Sequence, residues 1–238
     1  MLFFCIFVVV ATVVGSVSYV LTTPTMDVSG VDIKGVHLSN RTAIVNMASR
    51  TIGHNIILQR TSPIIKDVRG LSQVRLVKMG RKYPNRMWLR VWERKPDAVI
   101  VAHGSYYLVQ ADGFVFHKIS TIPKKLLRIE VTGSEKYKPG KMVGSPSIRC
   151  ALHALAIARR QSIKLDKISI DPRGDICLNM GSEFRAKLGQ PDSIALKMSL
   201  LRNALLHRPS MVQEGAYIDL SVPTDPAWKP KAAATTAS

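Results

Sequence analysis

The chain of 238 residues carries 34 basic and 16 acidic residues, a formal net charge of +18. That balance points to an anionic partner. The basic residues are dispersed and no nucleic-acid-binding motif stands out, which sets nucleic acid aside and leaves anionic headgroups, cell-wall polymers or a solvated basic surface.

No Lys, Arg, Asp or Glu occurs in residues 1–26, and Leu2 to Leu21 is almost wholly apolar. As a helix this run would extend roughly 30 Å, the thickness of a hydrocarbon core. Its β-branched residues do not oppose a helix, because in lipid only a helix satisfies the backbone within one short segment. Tyr19 stands where an interfacial aromatic fits. A cleaved signal peptide is the alternative, with Ser16 and Ser18 small enough to precede a cut. The missing basic n-region and the length of the run favour an anchor. Residues 1–26 therefore read as a transmembrane anchor and linker, with the bulk of the chain outside the cytoplasm.

Asp27 to Lys34 alternates as a strand does, and Gly35 ends it. Ser39 suits an N-cap for a helix over residues 40–51, which carries Ala43, Ile44, Met47 and Ala48 at helical spacing. Ser62-Pro63 opens a second helix that Gly70 closes, since proline is tolerated at the first helical position. A strand from Val74 to Lys78, a Tyr83-Pro84-Asn85 turn and a return strand from Met87 to Glu93 follow. Trp88 and Trp92 share strand parity, and core packing is the expected reason, with a partner groove as the alternative.

This β-α-α-β-β order over residues 27–97 resembles a POTRA domain. The run VDIKGVHLSNRTAIVNMASRTIGHNII is similar to the strand, Gly-Val, helix and Gly-x-Asn of that fold. The hairpin that follows leaves through Val91, Glu93, Arg94, Pro96 and Ala98, as a Val-x-Glu-Arg-x-Pro-x-Ala exit.

Beyond it, Tyr106 to His117 forms a hairpin around Ala111-Asp112-Gly113, where Asp-Gly supplies the positive φ a tight turn needs. A helix is expected over residues 146–162, with strands at 167–170, 175–180 and 184–188. Pro191 opens a helix to about His207 whose face carries Ile194, Met198, Leu201 and Leu205. Ala216 to Val222 is the last expected strand, and residues 223–238 read as a disordered Pro/Ala-rich tail.

The hairpin YYLVQADGFVF and the run FRAKLGQPDSIALKMSLLRNALLH followed by GAYIDLSVP resemble the FtsQ/DivIB family of bacterial cell-division proteins, as does their order after an anchor and a POTRA pattern. Gln110 replaces the family's usual aspartate in the hairpin. The resemblance implies an α+β fold: an N-terminal transmembrane helix, a POTRA domain, and a mixed β domain with two helices over residues 98–222. It implies a scaffold in the plasma (inner) membrane at the division septum, with FtsB/DivIC-like and FtsL-like partners and a link to the septal peptidoglycan synthase complex. An exported POTRA chaperone is the alternative, though it would usually carry repeated units or a barrel, and a cell-wall polymer-binding protein is another.

Catalytic chemistry has no foothold in the sequence, and no cofactor is expected. There is no GxSxG, P-loop or GxGxxG, and the six histidines are scattered. Asp166 with Asp171, or Asp112 with Glu130, could pair as acid and base, but solvated surface carboxylates are the simpler reading. Cys150 and Cys177 lack a metal-binding spacing; free thiols are expected, with a disulfide as the alternative. The candidate site is instead a strand edge, whose unpaired N–H and C=O groups accept an extended partner. By resemblance it comprises Tyr217, Ile218, Asp219, Leu220, Ser221 and Val222, with Trp228 as an apolar anchor. The other reading is that Ile218, Leu220 and Val222 face the core, and Pro223 ends the strand early.

Overall fold

The computed structural model describes residues 2–181 and 183–231, apart from the side chains at positions 2, 5, 17 and 20–22. The fold is mixed α+β, and the chain divides into two units, Met1–Arg94 and Lys95–Ser238.

The first unit begins with α1, Leu2–Thr22, a helix of 21 residues. Among the described residues no helix is long and apolar enough to cross a membrane. In α1 the side chains are described without a gap only over residues 6–16, so the expected span lies partly outside the described residues. A turn of tighter helix at Pro24–Met26 leads to β1, Gly30–Lys34. Helices α2, Arg41–Ser49, and α3, Ser62–Arg69, precede the hairpin of β2, Val74–Lys82, and β3, Arg86–Glu93. The sheet runs β1-β3-β2, with β1 parallel and β2 antiparallel to β3.

Alternation along β3 divides its faces. Met87, Leu89 and Val91 are buried, and Leu89 and Val91 pack with Ile44 and Ala48 of α2 and Ile64 and Val68 of α3. Trp88 and Trp92 point the other way, onto a face that no helix among the described residues covers, so core packing does not explain them. The N-cap of α2 is Asn40 rather than Ser39: its Oδ1 accepts from the Ala43 amide at 3.2 Å. Ser39 serves a different contact. The Glu93 carboxylate accepts from the amides of His37 at 3.0 Å, Leu38 at 2.8 Å and Ser39 at 2.7 Å, tying the end of β3 to the loop before α2. Burial alone would raise the Glu93 pKa, but these amides outweigh it and hold the carboxyl below its ordinary range. The adjacent Arg94 donates from Nε to the Ser72 carbonyl at 3.1 Å. The Glu-Arg pair of the exit motif thus closes the unit on two sides.

The second unit is built on one sheet of ten strands. In chain order these are β4, Ala98–Ala102; β5, Ser105–Val109; β6, Phe114–Ile119; β7, Leu127–Val131; and β8, Lys141–Met142. Then come β9, Lys167–Ile170; β10, Ile176–Met180; β11, Phe184–Gly189; β12, Gly215–Asp219; and β13, Ala227–Pro230. The spatial order is β13-β12-β11-β10-β9-β7-β4-β5-β6-β8. Helices α4, Pro146–Arg160, and α5, Ile194–His207, pack their apolar sides on one face, joining Ile148, Leu152, Met198 and Leu201 to Ile129, Ile168 and Leu178 of the sheet. A short helix α6, Met211–Glu214, leads into β12. The Asp-Gly hairpin forms as read, with Gly113 at φ 88°. Cys150 and Cys177 are free thiols, and burial pushes both pKa values up.

Lys197 of α5 is fully buried, on the inward side of that helix. Its Nζ donates to the Gln190 carbonyl at 3.1 Å and to Asp192 at 2.7 Å, across the loop that starts the helix. The lysine hydrogen bond is the main reason the Asp192 pKa is lowered. Swapping a buried charge for an apolar chain of similar length is often nearly neutral, because its desolvation cost disappears with its hydrogen bonds. Lys197→Met is therefore expected to change unfolding free energy by less than about 1.5 kcal/mol. Lys197→Ala also opens a cavity and is expected to cost about 3 kcal/mol. Urea unfolding of the two variants tests this ordering.

Candidate partner-binding edge

Sequence reasoning places an open edge at Tyr217–Val222, and the sheet corrects this. β12 lies between two strands. It runs parallel to β11, with Arg185, Ala186 and Lys187 opposite Tyr217, Ile218 and Asp219. On its other side β13 pairs antiparallel, with Lys229, Trp228 and Ala227 opposite the same three residues. The edge strand is β13, in a segment expected to be disordered; residues 232–238 of that tail lie outside the described residues. β12 ends at Asp219, four residues before Pro223, so the proline does not end the strand. It starts the return instead: the Val222 carbonyl accepts from the Asp225 amide at 3.1 Å, with proline at the second turn position, where its fixed φ fits.

Six of the seven candidate residues, Tyr217 to Val222, separate into three roles. Ile218 and Leu220 face the core. Ser221 and Val222 are exposed in the turn, where the Ser221 Oγ donates to Asp219 at 2.6 Å. Burial raises the Asp219 pKa, but hydrogen bonds from Ser221 and the charge of Lys187 outweigh it and keep the carboxylate ionised. Tyr217 lies on the opposite face from Ile218, with Lys187 Nζ 3.9 Å and Lys229 Nζ 6.0 Å from its ring centre. Each such cation–π contact contributes roughly 0.5–1 kcal/mol at a half-exposed site.

Trp228 does act as an anchor, but within its own chain. It packs against the core of the unit, with the Arg208 guanidinium 4.1 Å from its ring centre. Gly215 makes room for it: a Cβ there would lie 2.6 Å from the indole nitrogen and 2.8 Å from Phe184. That nitrogen, Nε1, is buried without a hydrogen-bond partner among the described residues, an arrangement that costs about 1–3 kcal/mol. Just beyond β13, Lys231 reaches Glu183 at 3.0 Å. Lys187, Arg208 and Lys229 belong to the site and were not found from sequence. Ala-Trp-Lys between two prolines is too short to show alternation, and a cation over an aromatic ring is a tertiary event.

Among the described residues no three His, Cys, Asp or Glu side chains gather where they could hold a metal ion. The site offers backbone edges, aromatic–cation stacks at Tyr217 and at Trp228, and an apolar anchor in Trp228, which are means of holding a chain.

The sequence matches no family model. It is 24% identical over 159 residues to a protein of Streptomyces bingchenggensis named cell division protein FtsQ, covering 66% of this chain and 58% of that one. A protein of the same name from Myxococcus fulvus is 25% identical over 181 residues, covering 74% of this chain and 63% of that one. Another, from Streptomyces griseus, is 23% identical over 206 residues, covering 84% and 95%. The match thus spans about three fifths of the length of the first two relatives.

Proposed function

We propose that the chain, which is similar to several proteins named cell division protein FtsQ, is a non-enzymatic scaffold of the FtsQ/DivIB family that holds an extended segment of a partner at the β12 end of its larger sheet. The partners proposed are FtsB/DivIC-like and FtsL-like division proteins, and through them the septal peptidoglycan synthase complex. The proposed place is the plasma membrane at the septum. The apolar, uncharged helix α1 would serve as the anchor, and the β1-α2-α3-β2-β3 unit as a POTRA domain.

The observation that carries this reading is β13. It pairs with β12 as an added partner strand would, but it is four residues long. Pro230 ends it and Pro226 precedes it, so its own outer edge lacks donors at both ends and is a poor template. β12 is the better template, and β13 occupies it. The unpaired Trp228 nitrogen lowers the cost of letting go. The partner segment therefore replaces β13 in register against Tyr217 to Asp219, while Tyr217 and its lysines remain on the sheet to be covered.

A strand that occludes its own template weakens apparent affinity by the fraction of time the template is open. Truncation after Val222 is thus expected to raise capture of the FtsB-like and FtsL-like proteins from detergent-solubilised membranes, on the order of tenfold in apparent Kd. Tyr217→Ala should lower capture in both backgrounds. Loss of capture on truncation would show that β13 is itself the template. No capture by any form would overturn the scaffold reading.

A further inference from the structure

We propose that the outer face of the β1-β3-β2 sheet is a docking face for an anionic phospholipid surface. It carries the two tryptophans that the core does not use. Trp88, Arg90 and Trp92 alternate along the central strand. Register places Asp32 and Lys34 of β1 beside Trp88 and Arg90. On the other side Gly80, Lys78 and Leu76 of β2 lie opposite Trp88, Arg90 and Trp92.

The face is an ordered cation–aromatic array. The Arg90 guanidinium lies 6.0 Å from the Trp88 ring centre and 5.9 Å from that of Trp92, and Lys78 Nζ lies 6.0 Å from Trp92. Trp88 rests on Gly80: a Cβ at position 80 would come within 2.5 Å of the indole. Glycine in mid-strand weakens a sheet unless something needs its space, and here the ring does. Mutual packing does not hide the rings, since Trp88 is 36% and Trp92 38% exposed, high for a residue that is usually well buried. Asp32 is taken up by Arg86 at 2.9 Å, so Lys34, Lys78, Lys82 and Arg90 give the face its sign.

Chemistry and reach select the occupant. Indoles settle at the level of lipid headgroups. Lys and Arg lay their stems over apolar surface while their charged ends meet phosphate. A single-stranded nucleic acid or linear polyanion calls for a groove that tracks its backbone, whereas this is an open sheet face. The reach rests on the anchor reading of α1. Seven residues, 23–29, separate α1 from β1, a tether of at most about 25 Å, so an inserted α1 keeps the face within reach of the bilayer.

The test uses the full chain with Trp228→Phe, which leaves Trp88 and Trp92 as the fluorophores, reconstituted into vesicles of brominated lipid. Neutral phosphatidylcholine vesicles are compared with vesicles containing one third phosphatidylglycerol. Quenching is expected with the anionic vesicles, falling with added salt. Reversing two charges, Lys78→Glu with Arg90→Glu, should weaken the underlying affinity by at least about thirtyfold, from about 1 kcal/mol for each of the two basic residues lost near the surface. The milder Lys78→Gln with Arg90→Gln should give an intermediate loss and guards against misfolding of the reversal. Equal quenching in both vesicle types, none in either, or no response to the charge changes overturns the proposal. So does inhibition-free retention of the protein on a soluble polyanion with no lipid quenching, which would mark a polymer site. Flotation with neutral vesicles reports on α1 separately: its failure sinks the anchor, while quenching by anionic vesicles still reports on the face.

Discussion

Leu220→Asp is expected to unfold the Lys95–Ser238 unit. Leu220 has 0% exposure and belongs to the core shared by the sheet with α4 and α5. Its amide donates to the Lys187 carbonyl at 2.8 Å, extending the parallel pairing past the end of β12. An aspartate there would lose the apolar contacts and bury a carboxylate, for a cost of about 4 kcal/mol or more. Total stabilities lie near 5–15 kcal/mol, so the unit would be marginal or unfolded. Val222, two residues on, is 57% exposed in the turn, and Val222→Asp should stay within about 0.5 kcal/mol of the parent. Thermal unfolding with limited proteolysis distinguishes the two. A folded Leu220→Asp protein melting within a few degrees of the parent would place that side chain at the surface and contradict the packing of β12.

Periodicity made much of this fold legible, and its limits follow from what periodicity measures. The β3 alternation, the α5 apolar stripe and the Asp-Gly turn were readable because one face of each meets water and the other does not. β4, Ala-Val-Ile-Val-Ala, was missed because Ala98, Val99, Ile100 and Ala102 are all buried, leaving no alternation. β7 escaped for a related reason: Arg128 and Glu130 alternate with Leu127, Ile129 and Val131, but five residues next to a lysine-rich loop carry little signal. At the candidate site, the sequence located the last long strand correctly and its surroundings wrongly. Whether a strand is an edge depends on what pairs with it, and here the pairing segment is a short piece between prolines. The two tryptophans failed differently. Parity put them on one face, but the choice between inside and outside turned on α2 and α3, which cover the side carrying Leu89 and Val91.

Glu93→Ala should weaken the first unit by about 2–3 kcal/mol, the largest effect expected there from an exposed-rim polar side chain. One carboxylate receives three consecutive backbone amides from residues 37–39. Such charge-assisted bonds contribute roughly 1.5–3 kcal/mol each in isolation, and solvent at the rim reduces their sum. Removing the carboxylate leaves those amides to water and frees the loop that sets the start of α2. The pH dependence gives the effect its signature. In the folded chain burial raises the Glu93 pKa, the amides lower it further, and the net value lies below the ordinary 4.5. As pH falls, the unfolded chain therefore takes up this proton first. The stabilisation is complete above the ordinary value and is lost as pH drops through the depressed one. Urea unfolding of parent and Glu93→Gln should show a constant gap at neutral pH that closes at a pH below the depressed value. A gap that persists unchanged at that pH would assign the contribution to packing of the side chain instead of to its charge.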